Sequence, residues 1–350
     1  MGYYLYIKKR NVFLPIEEVE QNKIAKKRLD EIFANKEKLS IPKRIVENWD
    51  DIALFQSNGN IEKANALFIK SENSAYDLSN KLNDLTAKEW LPETVTVFSQ
   101  KGLGASNKDA QIEKLHPAPF SFQDVGRLIR FFTKEGNKVL DPFSGVASTV
   151  KACCFEKRIG VGIELNSKFH ELGEKRIKIE VPDELEYKTK QKLIHGDSIH
   201  EIKNLGKDEF DFVVTSPPYW NILETIDHKG KERVNNNLDF KYSEDDKDLS
   251  NIADYEEFLN VLSGFFNNCS RILKSEKYMC VIVSDFRKKD KFYTFHADLA
   301  NAIEKYGDFR LKGIRILYQR HKGIYPYGYP FSFVPNVHHQ NVLVFQNKKK

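Results

Sequence analysis

Val139-Leu140-Asp141-Pro142-Phe143-Ser144-Gly145-Val146-Ala147-Ser148-Thr149 reads as a short buried strand that breaks at a proline, turns on small residues and enters a helix. Glycine and alanine let the backbone turn tightly and approach a ligand, and the N–H groups that open a helix offer polar contacts. This suits a nucleotide-like cofactor; a plain turn and the opening of a dinucleotide-binding fold share the same pattern. The next predicted strand, Arg158–Leu165, ends with Glu164. That acid stands about 20 residues past the turn, the distance at which a carboxylate takes hydrogen bonds from ribose hydroxyls. A third strand closes on His195-Gly196-Asp197-Ser198. There Asp197 can accept from an adenine amino group, cap the following helix, or do both.

Outward from this core, short β-branched runs alternate with helical stretches from Glu93 onward. Strands are expected near Lys138–Pro142, Ile159–Leu165, Lys192–Gly196, Phe210–Thr215, Tyr278–Ser284, Leu311–Tyr318 and Asn341–Phe345. The alternation predicts a doubly wound, seven-stranded, mostly parallel α/β sheet, which binds ligands at the carboxyl ends of its strands. The clearest helix is Asp254–Lys274, where Phe258, Leu262, Phe265, Phe266 and Cys269 form an apolar stripe. Residues 1–90 read differently, as a helical N-terminal region, because Ala64, Leu67, Phe68, Ala75, Leu78, Leu82 and Leu85 recur at helical spacing. Residues 91–350 form the expected catalytic domain, with 221–250 inserted as a long polar loop.

The 350 residues are 41% apolar and 30% charged, the balance of a soluble globular chain. No apolar run is long enough to span a bilayer, and Met1–Arg10 does not read as a signal peptide. The four cysteines (Cys153, Cys154, Cys269, Cys280) lie in apolar stretches without a CxxC pair, so neither a metal nor a disulfide framework is expected. A reduced, cytoplasmic setting follows. The formal charge of +5 permits a polyanionic partner without requiring one.

The fourth strand carries the chemistry: Asp211-Phe212-Val213-Val214-Thr215-Ser216-Pro217-Pro218-Tyr219-Trp220. Two prolines after a buried strand remove two N–H donors and fix φ, so the chain leaves the sheet rigidly with its carbonyls free to accept. An ordinary strand exit is the bland alternative. An exocyclic base amine is a poor nucleophile because its lone pair is delocalised into the ring. Acceptors on both amine protons, the Ser216 side chain and the Pro217 carbonyl, would favour a pyramidal nitrogen. Positioning and preorganised electrostatics would then do most of the catalysis.

With these residues together, the chain resembles the amino-group DNA methyltransferases, the N4-cytosine and N6-adenine family. The family's cofactor loop is usually Asp-Pro-Phe-x-Gly-x-Gly-Thr, and here Ala147 stands at the third small position. The resemblance covers roughly residues 95–347. It implies a Rossmann-like methyltransferase fold and S-adenosylmethionine as cofactor. Asp141, Pro142, Phe143 and Gly145 would surround its methionine part, with Glu164 on the ribose and Asp197 on the adenine. His116-Pro117-Ala118-Pro119-Phe120 looks like the motif preceding the loop, so His116 and Phe120 would line the methionine end. Ser216, Pro217, Pro218 and Tyr219 would hold the target base, swung out of double-stranded DNA and stacked on Tyr219. Ser-Pro-Pro-Tyr is more typical of cytosine N4 enzymes and Asp-Pro-Pro-Tyr of adenine N6 enzymes, which favours cytosine.

Phosphate contacts are expected from Lys229, Lys231 and Arg233 in the long loop and from Arg287, Lys288 and Lys289 after strand five, although each cluster also suits solvated surface. The loop Tyr325-Pro326-Tyr327-Gly328-Tyr329-Pro330-Phe331 could cover the cofactor mouth, touch bases or pack on itself. Residues 1–90 and 221–250 are assigned to sequence recognition. A cognate restriction endonuclease would be a separate chain, since no Pro-Asp…Glu-x-Lys nuclease pattern accompanies the motifs. An RNA base methyltransferase shares the chemistry. A nicotinamide-dependent oxidoreductase would leave Ser216–Tyr219 unexplained, and a catalytically silent nucleic-acid module would transfer no methyl group from the cofactor.

Overall fold

The computed structural model describes residues 3–8, 11–13, 51–56, 66–71, 74–77, 80–100, 107, 111–116, 121–220, 248–320 and 322–349. Contacts divide the chain into two compact units, residues 1–95 with 133–135, and residues 96–132 with 136–350.

Among its described residues the first unit is built mainly of strands rather than the helices expected for residues 1–90. It holds strands β1 (Tyr3–Lys8), β2 (Asn11–Phe13), β3 (Asp51–Gln56), β4 (Ala66–Ser71) and β5 (Ser74–Asp77). They form one antiparallel sheet in the order β2-β1-β3-β4-β5. The segment read as an amphipathic helix from Ala64 onward is a hairpin, in which Ser71 pairs with Ser74 across a two-residue connection. Its other partner is β3, with Asp51 opposite Lys70 and Phe55 opposite Ala66. A partner so distant in sequence leaves no mark on local periodicity, which is why spacing misled. Only α1 (Ala87–Trp90) is α-helical among the described residues of this unit.

The second unit is built on an eight-stranded sheet. In chain order its elements are β6 (Val97–Ser99), α2 (Phe122–Phe132), β7 (Lys138–Asp141), α3 (Ser148–Phe155), β8 (Ile159–Glu164), α4 (Ser167–Glu180), β9 (Lys192–His195), α5 (Ser198–Asn204) and β10 (Phe210–Thr215). There follow α6 (Tyr255–Ile272), β11 (Leu273–Val283), the hairpin β12 (Phe286–Lys288) and β13 (Lys291–Tyr293), α7 (Phe295–Tyr306), β14 (Phe309–Tyr318) and β15 (His339–Asn347). The strand order is β6-β14-β15-β11-β10-β7-β8-β9. β15 runs antiparallel to β11 and β14, and every other pairing is parallel. The seven expected strands are all present. The eighth, β6, is a three-residue edge strand beside Ile316–Tyr318, too short to show a period.

The core explains the layering. β10 is buried along its whole length, as a strand covered on both faces must be. Phe258, Leu262, Phe265, Phe266 and Cys269 of α6 bury one stripe in the same cluster as β10 and β11. Asp254 caps that helix by accepting from the Glu257 N–H at 2.9 Å. From β7 the chain winds outward through β8 and β9, then returns to lay β10 on the other side of β7. The crevice between the carboxyl ends of β7 and β10 is therefore the topological switch point, where ligands bind in this architecture.

Close packing under the crevice makes Gly162 a stringent position. A Cβ there would lie 2.5 Å from Ser144 Oγ and 2.8 Å from Leu193 Cδ2. Gly162→Ala is expected to destabilise the protein by about 1–3 kcal/mol through overpacking. Chemical denaturation followed by far-UV circular dichroism checks this, and an unchanged midpoint would contradict it.

Candidate active site

β7 delivers Asp141 to the base of the crevice, where the side chain is 4% exposed. One carboxylate oxygen accepts from Thr215 Oγ1 at 2.6 Å and from the Phe143 N–H at 3.1 Å; the other accepts from Thr149 Oγ1. A single buried acid thus joins the end of β10, the turn after β7 and the first turn of α3. Burial pushes its pKa up to about 6 against the three donors.

The turn itself needs two left-handed residues, Gly145 at φ 51° and Ala147 at φ 62°. Glycine adopts this at no steric cost, whereas alanine costs about 1–2 kcal/mol. Ala147 nevertheless holds the conformation, donating its N–H to Ser144 O at 2.9 Å. A Cβ on Gly145 would come within 3.1 Å of His116 Nε2, so the imidazole reaches across the bare backbone of the turn. The His116 ring also stands edge-on to Phe169, with centroids 4.7 Å apart.

Above the turn lies a pocket enclosing about 710 Å³, part of it open to solvent. It is lined by His116, Pro142, Phe143, Gly145, Ile163, Glu164, Leu165, Asn166, Phe169, Asp197, Ser198, Ile199, Ser216, Pro217, Pro218, Asp248 and Leu249. Glu164, at the end of β8, accepts from the Gly145 N–H at 2.7 Å and the Asn166 N–H at 2.8 Å. Burial pushes its pKa up to about 7 despite those donors, and the charges of Asp141 and Asp248 add to the rise. Asp197, past the end of β9, takes the helix-capping role its sequence offered and also faces the pocket. It caps α5 by accepting from the Ile199 N–H at 2.9 Å.

The strand exit is pinned along its length. Thr215 donates to Asp141, the Tyr219 hydroxyl accepts from the Ser284 N–H at 3.0 Å, and Trp220 Nε1 donates to Ile252 O at 2.9 Å. Between these anchors Ser216, Pro217 and Pro218 face the pocket. Asp141 and Tyr219 do not line it; they stand behind the residues that do.

The structure thus gathers His116, Pro142, Phe143, Gly145, Glu164, Asp197, Ser216, Pro217 and Pro218 around one cavity. Phe120, Lys229, Lys231 and Arg233 lie outside the described residues. Arg287, Lys288 and Lys289 fall on the β12–β13 hairpin. Arg287 Nε donates to Lys289 O at 2.9 Å, and Lys288 Nζ sits 3.7 Å from the Trp220 ring centroid. Sequence reading missed Asn166 and Asp248. Asn166 was visible as an N-cap, two residues past Glu164, and accepts from the Lys168 N–H at 2.9 Å. Asp248 holds an Asp-x-Ser turn, accepting from the Ser250 N–H at 2.9 Å.

A buried ionic cluster stiffens the pocket from the far side. Arg176 is fully buried and donates to Glu113 at 2.6 Å, Glu180 at 3.0 Å, Ser148 Oγ at 2.8 Å and Val146 O at 3.2 Å. Lys151, equally buried, pairs with Glu180 at 2.7 Å. Such a cluster adds little net stability but fixes geometry, since removing one partner strands a buried charge. Here it ties the segment before His116 to the turn and to α4.

The raised pKa of Glu164 gives a pH dependence with a definite sign. Burial makes the fold favour the protonated carboxyl, so this part of its stability is full below the ordinary value of 4.5 and lost as pH rises through about 7. A ligand whose ribose hydroxyls donate to Glu164 favours the charged form instead. Such a ligand is therefore expected to bind more tightly as pH rises through about 7, and the dependence should flatten in Glu164→Gln. Calorimetric titration from about pH 5.5 to 8.5 reads both slopes.

The family model described as DNA methylase (N6_N4_Mtase) matches residues 4–175 and 210–350. Among curated proteins no sequence matches. Solved structures to which the chain is similar include one named as a DNA modification methylase of Thermus thermophilus, complexed with S-adenosyl-L-methionine. It is 19% identical, over 44% of this chain and 54% of that one, with a TM-score of 0.31. The selenomethionine form of that protein gives 20% identity over 44% of this chain and 52% of its own length, with a TM-score of 0.31, so the match spans about half of it. A SAM-dependent methyltransferase of Methanosarcina mazei is 14% identical over 64% of this chain and 98% of that one, with a TM-score of 0.40. At these levels the structures illustrate similarity, and the assignment rests on the family model, which spans most of the chain. The chain belongs to the N6/N4 DNA methylase family.

Proposed function

We propose that the protein transfers a methyl group from S-adenosylmethionine to the exocyclic N4 amine of cytosine in DNA. The observation that carries this reading is one shared cavity: Ser216, Pro217 and Pro218 open onto the same space as Glu164, Asp197 and the glycine turn. The donor set fits the cofactor. Glu164 and Asp197 offer carboxylates at successive strand ends for hydroxyl and amine hydrogens, and Gly145 leaves a surface that a side chain would fill. Bound there, the cofactor supplies an electrophilic methyl group on a positively charged sulfur.

The chain's own residues prepare the acceptor. The Ser216 hydroxyl and the Pro217 carbonyl accept from the two amine hydrogens and hold the nitrogen lone pair toward the methyl carbon. Two prolines keep those acceptors from relaxing as charge develops on the nitrogen. Transfer would form the nitrogen–carbon bond as the sulfur–methyl bond breaks and its electron pair stays on sulfur; the methylated nitrogen would be strongly acidic, so weak acceptors would suffice to pass its proton to water. Tyr219, anchored through its hydroxyl on the Ser284 N–H behind the lining residues, holds Ser216, Pro217 and Pro218 in position against a base swung out of the duplex. The Ser-Pro-Pro-Tyr sequence, rather than Asp-Pro-Pro-Tyr, supports cytosine as the base.

Ser216→Ala is expected to retain cofactor affinity and lose methyl transfer by about 100-fold or more, as a lost preorganised contact does. Asp197→Asn keeps the helix cap while removing the charge, and is expected to weaken cofactor binding about tenfold. Enzymatic digestion of methylated DNA followed by mass spectrometry should give N4-methylcytosine. N6-methyladenine would overturn the choice of base, and methylation of structured RNA alone would overturn DNA as substrate.

A further inference from the structure

The segment between β14 and β15 has a composition unlike the rest of the chain. Residues 319–338 contain no Asp or Glu, although the protein has 50, and place an aromatic at 325, 327, 329, 331 and 333. The loop holds its own shape. Asn336 clamps Tyr325, accepting from its N–H at 2.9 Å and donating to its carbonyl at 2.8 Å. Gly328, at φ 76°, accepts through its carbonyl from the N–H groups of Phe331 and Ser332, both at 2.7 Å. The first two tyrosines pack together, with ring centroids 5.7 Å apart. The large apolar side chains beyond them point into solvent: Ile324 is 78% exposed, Tyr329 81%, Phe331 93% and Phe333 86%. None of the loop lines the cofactor pocket, so it neither packs its tip nor covers that mouth.

Topology sets where the tip stands. β14 is antiparallel to β15, which is antiparallel to β11, which is parallel to β10. The loop therefore leaves the same edge of the sheet as Ser216 and Asp141. The β12–β13 hairpin leaves that edge as well, since Ser284, directly after β11, donates to His339 O at 3.4 Å. The two segments carry Arg320 and Lys322 on one side and Arg287, Lys289 and Lys291 on the other.

We infer that the 323–333 loop is a duplex-DNA docking element, in which Phe331 and Phe333 pack against exposed bases while Arg320 and Lys322 meet the flanking phosphates. The inference rests on the reading of this protein as a DNA methyltransferase and names a surface that would receive the duplex beside the opened base. Self-supported aromatics displayed to water mark a contact surface rather than a core. Aromatic side chains are the usual wedges and stacking platforms for bases. The absence of acids gives the loop the sign that a polyanion selects.

The test is fluorescence anisotropy of a fluorescein-labelled duplex of mixed sequence with the full chain, over a range of salt, without cofactor. Phe331→Ser/Phe333→Ser is expected to lower duplex affinity about tenfold with the salt slope unchanged. Arg320→Gln/Lys322→Gln is expected to reduce that slope by about 1 to 2. In Phe331→Trp, indole fluorescence should be quenched on adding duplex. Unchanged affinity in the double Phe variant, or no binding by the wild-type chain, overturns the inference. So does loss of binding to anionic phospholipid vesicles, or of self-association by light scattering, with duplex affinity intact. Because cofactor is absent, failure of methyl transfer with duplex binding preserved counts against the enzymatic reading and leaves the docking surface standing.

Discussion

One carboxylate holds the candidate site together. Asp141 is the point where three elements that must agree in position meet: the turn that faces the pocket, the helix that follows it, and the strand that leads into Ser216. Its three donors satisfy both oxygens, and the buried position leaves the pKa raised to about 6. The arrangement therefore trades some stability at neutral pH for a fixed distance between the two halves of the pocket. A bond made through side chains at the switch point does what the parallel ladder between β7 and β10 cannot, because that ladder pairs only residues 139–140 with 212–213.

Around that anchor the charges are sorted by depth. Acids converge on the cavity, with Glu164, Asp197 and Asp248 all lining it. Two buried cations, Arg176 and Lys151, are tied up in a cluster with Glu180, where Arg176 braces the turn through Val146 and Ser148. The cations of the hairpin and the aromatic loop lie at the sheet edge instead. An acidic interior suits hydroxyl and amine donors and a sulfonium cation, and a basic rim suits a phosphate backbone.

Much of this was legible in the sequence because the site is built from strand ends, and strand ends carry local punctuation. The Pro142 break, the glycine turn, Glu164 and the double proline each sit directly after a β-branched run, and the structure brings them to one cavity. What was hidden depends on partners distant in the chain. Ala66–Ser71 and Ser74–Asp77 looked helical by spacing because their pairing with Asp51–Gln56 is invisible locally. Val97–Ser99 is too short for a period and exists only by pairing with β14. Nothing local in the sequence marks Arg176 as buried, and only the fold shows that Glu113, 63 residues earlier, closes over it. Tyr219 was assigned to the pocket by motif, and the structure shows its hydroxyl committed to β11.

The most direct test of the Asp141 bridge is a double-mutant cycle on turnover at saturating cofactor and DNA, using Thr215→Val and Asp141→Ala. Thr215 touches neither ligand in this account; its hydroxyl acts only through Asp141. If the bridge aligns the two halves of the pocket, Thr215→Val alone should slow turnover by about tenfold or more, and add almost nothing once Asp141 is gone. Full turnover in Thr215→Val, or losses from the two changes that simply multiply, would show that the halves are held in place by something else.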